Sequence, residues 1–211
     1  MNSDLEMTTR QLIGSTFPDL VFGATDGTRF TAREFSTRSF ILFIYPKTGR
    51  PNVAEAAPWS MIPGAKGCTP ESCEFRDLAS DFAAIGYSIL GLSGQHTEYQ
   101  QEAAERLHLG YPLLSDPEFT LASALGLPTF EFDSERLYVR GTLVVSAGII
   151  THVQLGITDA AGHPRHLLEQ LRNLLVSEHH NDSDDAQSKH HEGHGSDRHS
   201  FGMNTFIAHA R

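Results

Sequence analysis

The two cysteines of the chain, Cys68 and Cys73, lie five positions apart in one short run, and they are the residues best suited to chemistry. Thr69 and Pro70 favour an N-cap and a first helical position, and Glu71 adds negative charge to the first turn. A thiol at a helix start lies near the positive end of the helix dipole and near unpaired backbone N–H groups. Both favour the thiolate, which is the nucleophilic form of cysteine. The sequence therefore predicts an activated sulfur with a lowered pKa, and a second sulfur close behind it.

The composition is that of a globular protein that contains one domain with extensions. The 211 residues are 39% hydrophobic and carry a formal net charge of −10, without a basic patch that could neutralise nucleic-acid phosphates. The longest apolar run, Phe40–Tyr45, is too short to span a membrane, and residues 1–15 lack the apolar core of a signal peptide. We therefore expect a cytoplasmic protein, and in that compartment a cysteine pair is more often catalytic or metal-binding than a structural disulfide.

The pattern of apolar residues predicts an α/β fold with a central mixed sheet flanked by helices. Ser39–Tyr45 is a continuous apolar run typical of a strand buried on both faces, and Tyr87–Leu92 is a second such strand. A helix over 70–85 connects the two, so we expect them to be parallel. The remaining predicted elements are a helix over 97–109, a strand over 112–114, a helix after Pro117, strands over 138–145 and 149–155, and a helix over 166–176.

Four segments are expected along the chain. Residues 1–15 read as a flexible leader and residues 16–176 as the folded domain. Residues 48–66 form an insertion loop that contains the only tryptophan, Trp59, and that we expect to cover the mouth of a site. Residues 177–211 hold seven of the twelve histidines in an acidic segment without periodicity, which predicts a disordered, solvated tail rather than a metal site.

Several motifs occur in a shared order that resembles the peroxiredoxins, and the Q type (the bacterioferritin-comigratory-protein-like subgroup) in particular. The similarity extends over about residues 15–175. The residues that carry it are Tyr45-Pro46-Lys47, Gly67-Cys68-Thr69-Pro70-Glu71-Ser72-Cys73, Phe75-Arg76-Asp77, Phe17-Pro18-Asp19, Gly91-Leu92-Ser93, Pro112-Leu113-Leu114-Ser115-Asp116 and Arg140 before the strand Gly141–Val145.

The resemblance implies a thioredoxin-like fold and thiol-dependent reduction of hydrogen peroxide and organic hydroperoxides. Cys68 falls on the peroxidatic cysteine of the family, Cys73 on the resolving cysteine of the Q type, and Arg140 on the arginine that supports the thiolate. The family further implies recycling by thioredoxin or a similar dithiol donor, a monomer or weak dimer, and no metal, haem or flavin.

The chain departs from the family pattern at one position. The family places a threonine three residues before the peroxidatic cysteine, and here that residue is Ala65. Pro46, the proline of the same motif, is separated from Cys68 by the insertion loop. Thr48, two residues after this proline, is our candidate for the hydroxyl that orients the peroxide.

Helix geometry predicts a conformational change for the two cysteines. Five residues along an α-helix rise about 7.5 Å, which leaves the Cα atoms about 8–9 Å apart. A disulfide needs Cα atoms closer than about 7 Å. The first turn must therefore open before Cys68 and Cys73 can bond.

Other interpretations remain open at this stage. Two cysteines on an apolar helix can be ordinary core residues, and a zinc site would need closer spacing and further ligands. A thioredoxin-fold oxidoreductase that acts on protein thiols normally carries Cys-x-x-Cys, and the spacing of the two cysteines here is too wide for that class. A redox-sensing or thiol–disulfide exchange protein with little peroxidase turnover is the main alternative, and the missing threonine favours it. Among the histidines of the domain, His108, His152, His163 and His166 carry no motif.

Overall fold

The computed structural model describes residues 2–51 and 57–188, which form a mixed seven-stranded sheet with helices around it and a separate two-stranded hairpin. The elements in chain order are α1 (Asn2–Leu12), β1 (Val21–Ala24), β2 (Arg29–Thr31), β3 (Ser39–Ile44), α2 (Cys68–Asp77), α3 (Ala79–Ala84), β4 (Tyr87–Ser93), α4 (Thr97–Arg106), β5 (Leu113–Ser115), α5 (Thr120–Leu125), β6 (Thr129–Phe132), β7 (Glu135–Tyr138), β8 (Gly141–Ser146), β9 (Ile149–Leu155) and α6 (His163–Ser188), with 3-10 turns at Ala32–Phe35 and Ala57–Met61.

The strand order of the large sheet is β2-β1-β5-β4-β3-β8-β9. Strands β3, β4 and β5 are mutually parallel, and their outer neighbours run antiparallel to them. The predicted parallel pairing of the two buried strands is confirmed, as is the α/β class with a central mixed sheet. Because parallel strands end at the same edge of a sheet, the residues that follow β3 and β4 meet there.

Strand β3 forms the centre of the molecule because its side chains are apolar on both faces. Five of its six residues are buried, and its neighbours on either side are β4 and β8. On one face, Phe40, Leu42 and Ile44 join the main core cluster. On the other face, Phe43 stacks on Phe75 of α2 with ring centroids 4.5 Å apart. This aromatic contact fixes the helix that carries both cysteines against the central strand.

The helix predicted over 70–85 is divided in two. Helix α2 begins at Cys68, two residues earlier than expected, and α3 begins after Leu78. The φ of −97° and ψ of 5° at Leu78 interrupt regular helical geometry and separate the two segments. Pro70 occupies the third helical position rather than the first, where its missing N–H still costs no helical hydrogen bond.

The first fifteen residues differ from the expected flexible leader. Residues 2–12 form the helix α1, which packs against β9, and Leu12 is buried. The backbone N–H of Gly14 donates to the carbonyl of Ile150 at 2.8 Å, so the segment is joined to the sheet edge. Its apolar residues are too widely spaced to be recognised as a stripe, although Leu12 is buried in the core.

The chain divides into two compact units, one up to Gln170 and one from Leu171 onward. The first unit holds the sheets and both cysteines. The described part of the second unit is the continuation of α6 to Ser188, twelve residues beyond the predicted end at Val176. No glycine or proline interrupts this stretch, so a helix already nucleated extends through it. The rest of the expected tail, residues 189–211, lies outside the described residues.

The hairpin β6–β7 was not predicted, since its four-residue strands alternate only briefly between apolar and polar side chains. Within residues 2–51 and 57–188, no helix is long and apolar enough to cross a lipid bilayer.

Candidate active site

The first residue of α2 is Cys68, and the residue before it makes that start possible. Gly67 has a φ of 95°, in the left-handed region, and a Cβ atom there would approach the Cβ of Ala160 to 2.7 Å. Only glycine satisfies both constraints. The sulfur of Cys68 is consequently turned inward, and the residue is 5% exposed.

The sheet register brings Arg140 to the same place. Ile44 at the end of β3 pairs with Gly141 at the start of β8, so Arg140, which precedes β8, lies at the same edge of the sheet as the residues that follow β3. Its side chain is fully enclosed, with 1% exposure. Arg140 and Cys68 are 72 positions apart in sequence, and the sheet register together with α2 makes them neighbours.

The guanidinium group of Arg140 makes four polar contacts that fix its orientation. Nη2 lies 3.0 Å from the Cys68 sulfur and 3.1 Å from the carbonyl oxygen of Lys66. Nε donates to the carbonyl oxygen of Gly64 at 2.8 Å, and Nη1 pairs with the carboxylate of Glu71. The guanidinium group of arginine suits this set of acceptors because it is planar, permanently charged and carries N–H donors on three nitrogens. The predicted position of Arg140 beside the Cys68 sulfur is therefore observed, while its role in catalysis remains a proposal.

The pKa of the Cys68 thiol departs from the sequence prediction. Burial is the main influence, and it raises the pKa above the ordinary cysteine value because a thiolate loses its hydration. The charge of Arg140 and its hydrogen bond lower the pKa, as does the backbone N–H of Lys47, while the Glu71 carboxylate raises it. The net direction is upward, so the predicted lowering is wrong for this arrangement. Arg140 instead offsets part of the cost of burying a negative sulfur.

Glu71 is the most unexpected component of the site. We expected it to add negative charge to the first turn of the helix, and the structure shows that it is 0% exposed and faces Arg140. Its second oxygen, Oε1, lies 3.2 Å from Nδ1 of His163, the first residue of α6. The sequence indicated no contact of Glu71 with Arg140, and it indicated no role for His163. The spacing of Glu71 three positions after a reactive cysteine was the available signal, since that spacing places both on one helix face.

Cys73 lies on the same helix as Cys68, and both thiols are free. Cys73 is half-buried. The helical geometry that keeps the two sulfurs from bonding is therefore present. Two further hydrogen bonds connect α2 to its surroundings. The Tyr111 hydroxyl donates to the carbonyl of Ser72 at 2.7 Å, and Arg76 donates to the carbonyl of Leu107 at 2.7 Å.

Thr48 lies four residues after the end of β3 and is buried, and its hydrogen bonds are with Gln95, which follows β4. The Thr48 backbone N–H and hydroxyl donate to Oε1 of Gln95 at 2.8 and 3.1 Å, and the amide of Gln95 donates back to the Thr48 carbonyl at 3.2 Å. The hydroxyl thus has a protein acceptor at hand. Its role in orienting a peroxide stays a prediction.

The described part of the insertion loop packs on the β6–β7 hairpin. Trp59 is buried with Ala65 and Leu137, and partly buried Ile62, Phe130 and Phe132 complete this cluster. Ala65, at the position where the family resemblance led us to expect threonine, therefore contributes an apolar side chain to an apolar cluster. Its carbonyl oxygen lies 3.8 Å from the Cys68 sulfur, within reach of a thiol S–H.

A cavity of about 700 Å³ opens beside this cluster. Its lining includes Lys47, Thr48, Trp59 and Phe132, and the ammonium of Lys47 lies 5.1 Å from the Trp59 ring centre. Among residues 2–51 and 57–188, no group of three or more histidine, cysteine or acidic side chains is arranged to hold a metal ion.

Comparison with known proteins identifies the family of this arrangement. The profile named Redoxin matches residues 12–170, which is most of the chain. The chain belongs to the redoxin family.

Individual redoxins narrow the similarity to peroxiredoxins. Peroxiredoxin Bcp of Bacillus subtilis is 30% identical over 112 residues, which span 53% of this chain and 62% of that protein. The crystal structure of peroxidoxin BcpB from Mycobacterium tuberculosis has a TM-score of 0.62 at 28% identity, and the match covers 76% of this chain and 96% of that one. A PrxQ mutant from Xylella fastidiosa has a TM-score of 0.64 at 20% identity, over 77% of this chain and 96% of that one, a likeness of fold.

These matches confirm the expected family, fold and enzyme class. This redoxin has a thioredoxin-like fold, and the relatives that it matches are peroxiredoxins, which are thiol-dependent peroxidases; among them are proteins named Bcp and PrxQ. The reaction steps, the electron donor and the roles of individual residues in this redoxin are matters of proposal.

Proposed function

We propose that this protein reduces hydrogen peroxide and organic hydroperoxides through Cys68, with Cys73 as resolving cysteine and a thioredoxin-like dithiol as electron donor. The observation that carries the proposal is the 3.0 Å contact between Nη2 of Arg140 and the Cys68 sulfur inside a buried site. A buried ion pair adds little net stability compared with well-packed apolar side chains, so stability alone does not account for a cation placed against this thiol. The cation stabilises negative charge on the sulfur and on the oxygen that leaves.

The first step forms a sulfur–oxygen bond and breaks the peroxide bond. The Cys68 thiolate attacks one peroxide oxygen, and the other departs as hydroxide or alkoxide and takes up a proton. Cys68 becomes a sulfenic acid, two electrons having passed from sulfur to the peroxide. Arg140 supplies a fixed positive charge close to the reacting atoms, and it needs no reorganisation because its remaining donors are held by Gly64, Lys66 and Glu71. Thr48 is the candidate for orienting the peroxide.

The second step joins the two cysteines. After the first turn of α2 opens, the Cys73 thiolate attacks the sulfenic sulfur, a disulfide forms, and the sulfenic oxygen leaves as hydroxide, which takes up a proton from solvent to give water. A dithiol donor then reduces the disulfide and α2 refolds. Local opening of one helical turn costs far less than global unfolding. We assign this cycle to the cytoplasm, with the protein acting as a monomer or weak dimer.

A second candidate function is redox sensing or thiol–disulfide exchange with little turnover. Two observations favour it: Ala65 stands in place of the orienting threonine, and burial raises the pKa of Cys68. Steady-state peroxide consumption with thioredoxin and its reductase separates the two functions. Sustained consumption that depends on Cys68 supports the peroxidase. A single stoichiometric oxidation that then stops would establish the sensor.

A further inference from the structure

We infer that His163 is a positioning residue for the reaction at Cys68: its Nδ1–H holds the carboxylate of Glu71 in the orientation that keeps Arg140 against the sulfur. The inference rests on the proposed function of Cys68. Its starting point is a buried chain of contacts that runs from the sulfur through Arg140 and Glu71 to the first residue of α6.

The two oxygens of Glu71 are used by different partners. Oε2 pairs with Nη1 of Arg140, and Oε1 lies 3.2 Å from Nδ1 of His163. An ionised carboxylate only accepts hydrogen bonds, so the nitrogen that faces it must carry a proton. His163 is therefore the donor in this contact. Without it, one oxygen of a fully buried carboxylate would lack a partner, and such a carboxylate would draw Arg140 toward itself and away from Cys68.

The second ring nitrogen determines which form of His163 fits the site. Nε2 is buried and has no hydrogen-bond partner among the described residues. In the neutral ring with its proton on Nδ1, Nε2 is an acceptor that receives no hydrogen bond, which is the smaller cost. A protonated ring would leave a buried N–H without an acceptor, at greater cost. The arrangement therefore favours the neutral Nδ1–H tautomer, which is a donor of fixed direction.

The surroundings of His163 hold the ring in this direction. Phe75 of α2 meets it edge to face, with centroids 5.7 Å apart. The titratable groups around it are Glu71 on α2, His152 on β9, whose pKa is lowered by burial, and Asp159, whose carbonyl accepts the His163 backbone N–H at 3.1 Å. Glu71 is the one of these whose side-chain oxygen meets the ring in a hydrogen bond.

Two variants of His163 distinguish the effect of its hydrogen-bond donor from the effect of its aromatic ring. His163→Leu keeps apolar packing on Phe75 but has no donor, whereas His163→Asn keeps an N–H near the position of Nδ1 and loses the ring. We expect His163→Leu to raise the pKa of Cys68, which is measured by the ultraviolet absorbance of the thiolate. We expect it to slow oxidation by hydrogen peroxide about tenfold, and His163→Asn to recover most of both. If His163 served only to pack against Phe75, His163→Leu would stay closer to the parent than His163→Asn. Parental values in His163→Leu would overturn the inference.

A measurement on the unaltered protein keeps the inference testable if either variant fails to fold. Nitrogen-15 NMR of the histidine rings reports which nitrogen carries the proton. We expect the His163 signal at neutral pH to show the Nδ1–H tautomer. A proton on Nε2 alone would contradict the inference, because Nδ1 could not then donate to Glu71. Both this spectrum and the thiolate titration are independent of turnover, so failure of the proposed peroxidase cycle would be recognised separately, by the absence of peroxide consumption in the parent.

Discussion

Nη2 of Arg140 lies 3.0 Å from the sulfur of Cys68, and neither side chain has appreciable contact with solvent. The contact joins the residue before β8 to the first residue of α2. Burial and Arg140 act in opposite directions on the thiol, since burial favours the neutral form and the guanidinium favours the thiolate. The reactivity of Cys68 therefore depends on how firmly Arg140 is held in place.

Replacing Arg140 by glutamine should raise the pKa of Cys68 further and slow its oxidation by hydrogen peroxide by about a hundredfold, because the thiolate would lose its only adjacent cation among the described residues. Thiolate absorbance and stopped-flow oxidation measure the two effects. Arg33→Gln is the matched control, since Arg33 forms an exposed ion pair with Asp19. Unchanged kinetics in Arg140→Gln would remove this arginine from the mechanism.

The raised pKa of Cys68 also predicts how stability depends on pH. Above about pH 8.5 the thiol of the unfolded chain loses its proton while the folded protein retains it. The folded state then binds more protons than the unfolded state, so the free energy of unfolding falls as pH rises. The contribution is fully present below about pH 8.5 and is lost as the pH rises through the folded pKa. Urea unfolding under reducing conditions at several alkaline pH values should show a steeper fall in the parent than in Cys68→Ser. Parallel curves would contradict the raised pKa.

Removing the Tyr111 hydroxyl should loosen α2. Tyr111→Phe loses the hydrogen bond to the Ser72 carbonyl, at a cost of about 1 kcal/mol. Because the proposed disulfide requires this helix to open, we expect faster disulfide formation and less overoxidation of Cys68 in excess peroxide. Hydrogen exchange should be faster over residues 66–75 and unchanged in α4, and Tyr87→Phe on β4 serves as control. Equal protection of residues 66–75 in the reduced and disulfide forms of the parent would argue against helix opening.

Thr48 can be tested against its structural role. If its hydroxyl orients the peroxide, Thr48→Val should lower kcat/KM for hydrogen peroxide about tenfold while Thr48→Ser retains it. Gln95→Ala breaks the pairing with Thr48 but leaves the hydroxyl. An equal loss in Thr48→Val and Gln95→Ala would show that the pairing alone matters, and that Thr48 does not act on the substrate.

The sequence was sufficient to predict the elements whose apolar pattern is strong and the residues that lie within a motif. Strand β3, its parallel neighbour β4 and a helix that follows the first cysteine all result from local patterns, although the helix begins at Cys68, two residues before the predicted start. Glu71 and His163 could not be assigned, because their meeting depends on how α6 packs against α2, 92 positions away. The pKa of Cys68 was predicted in the wrong direction for a related reason. The helix dipole and the arginine are visible in sequence, whereas the depth of burial and the neighbouring carboxylate are properties of the packed structure.

The central claim, that Cys68 is oxidised by peroxide and then bonds to Cys73, is tested most directly by intact-protein mass spectrometry after one equivalent of hydrogen peroxide. The account predicts the loss of two hydrogen atoms in the parent, a sulfenic or overoxidised product in Cys73→Ser, and no sulfenic product in Cys68→Ser. Oxidation of Cys73 in Cys68→Ser at the parental rate, or a sulfenic acid that persists in the parent, would contradict it.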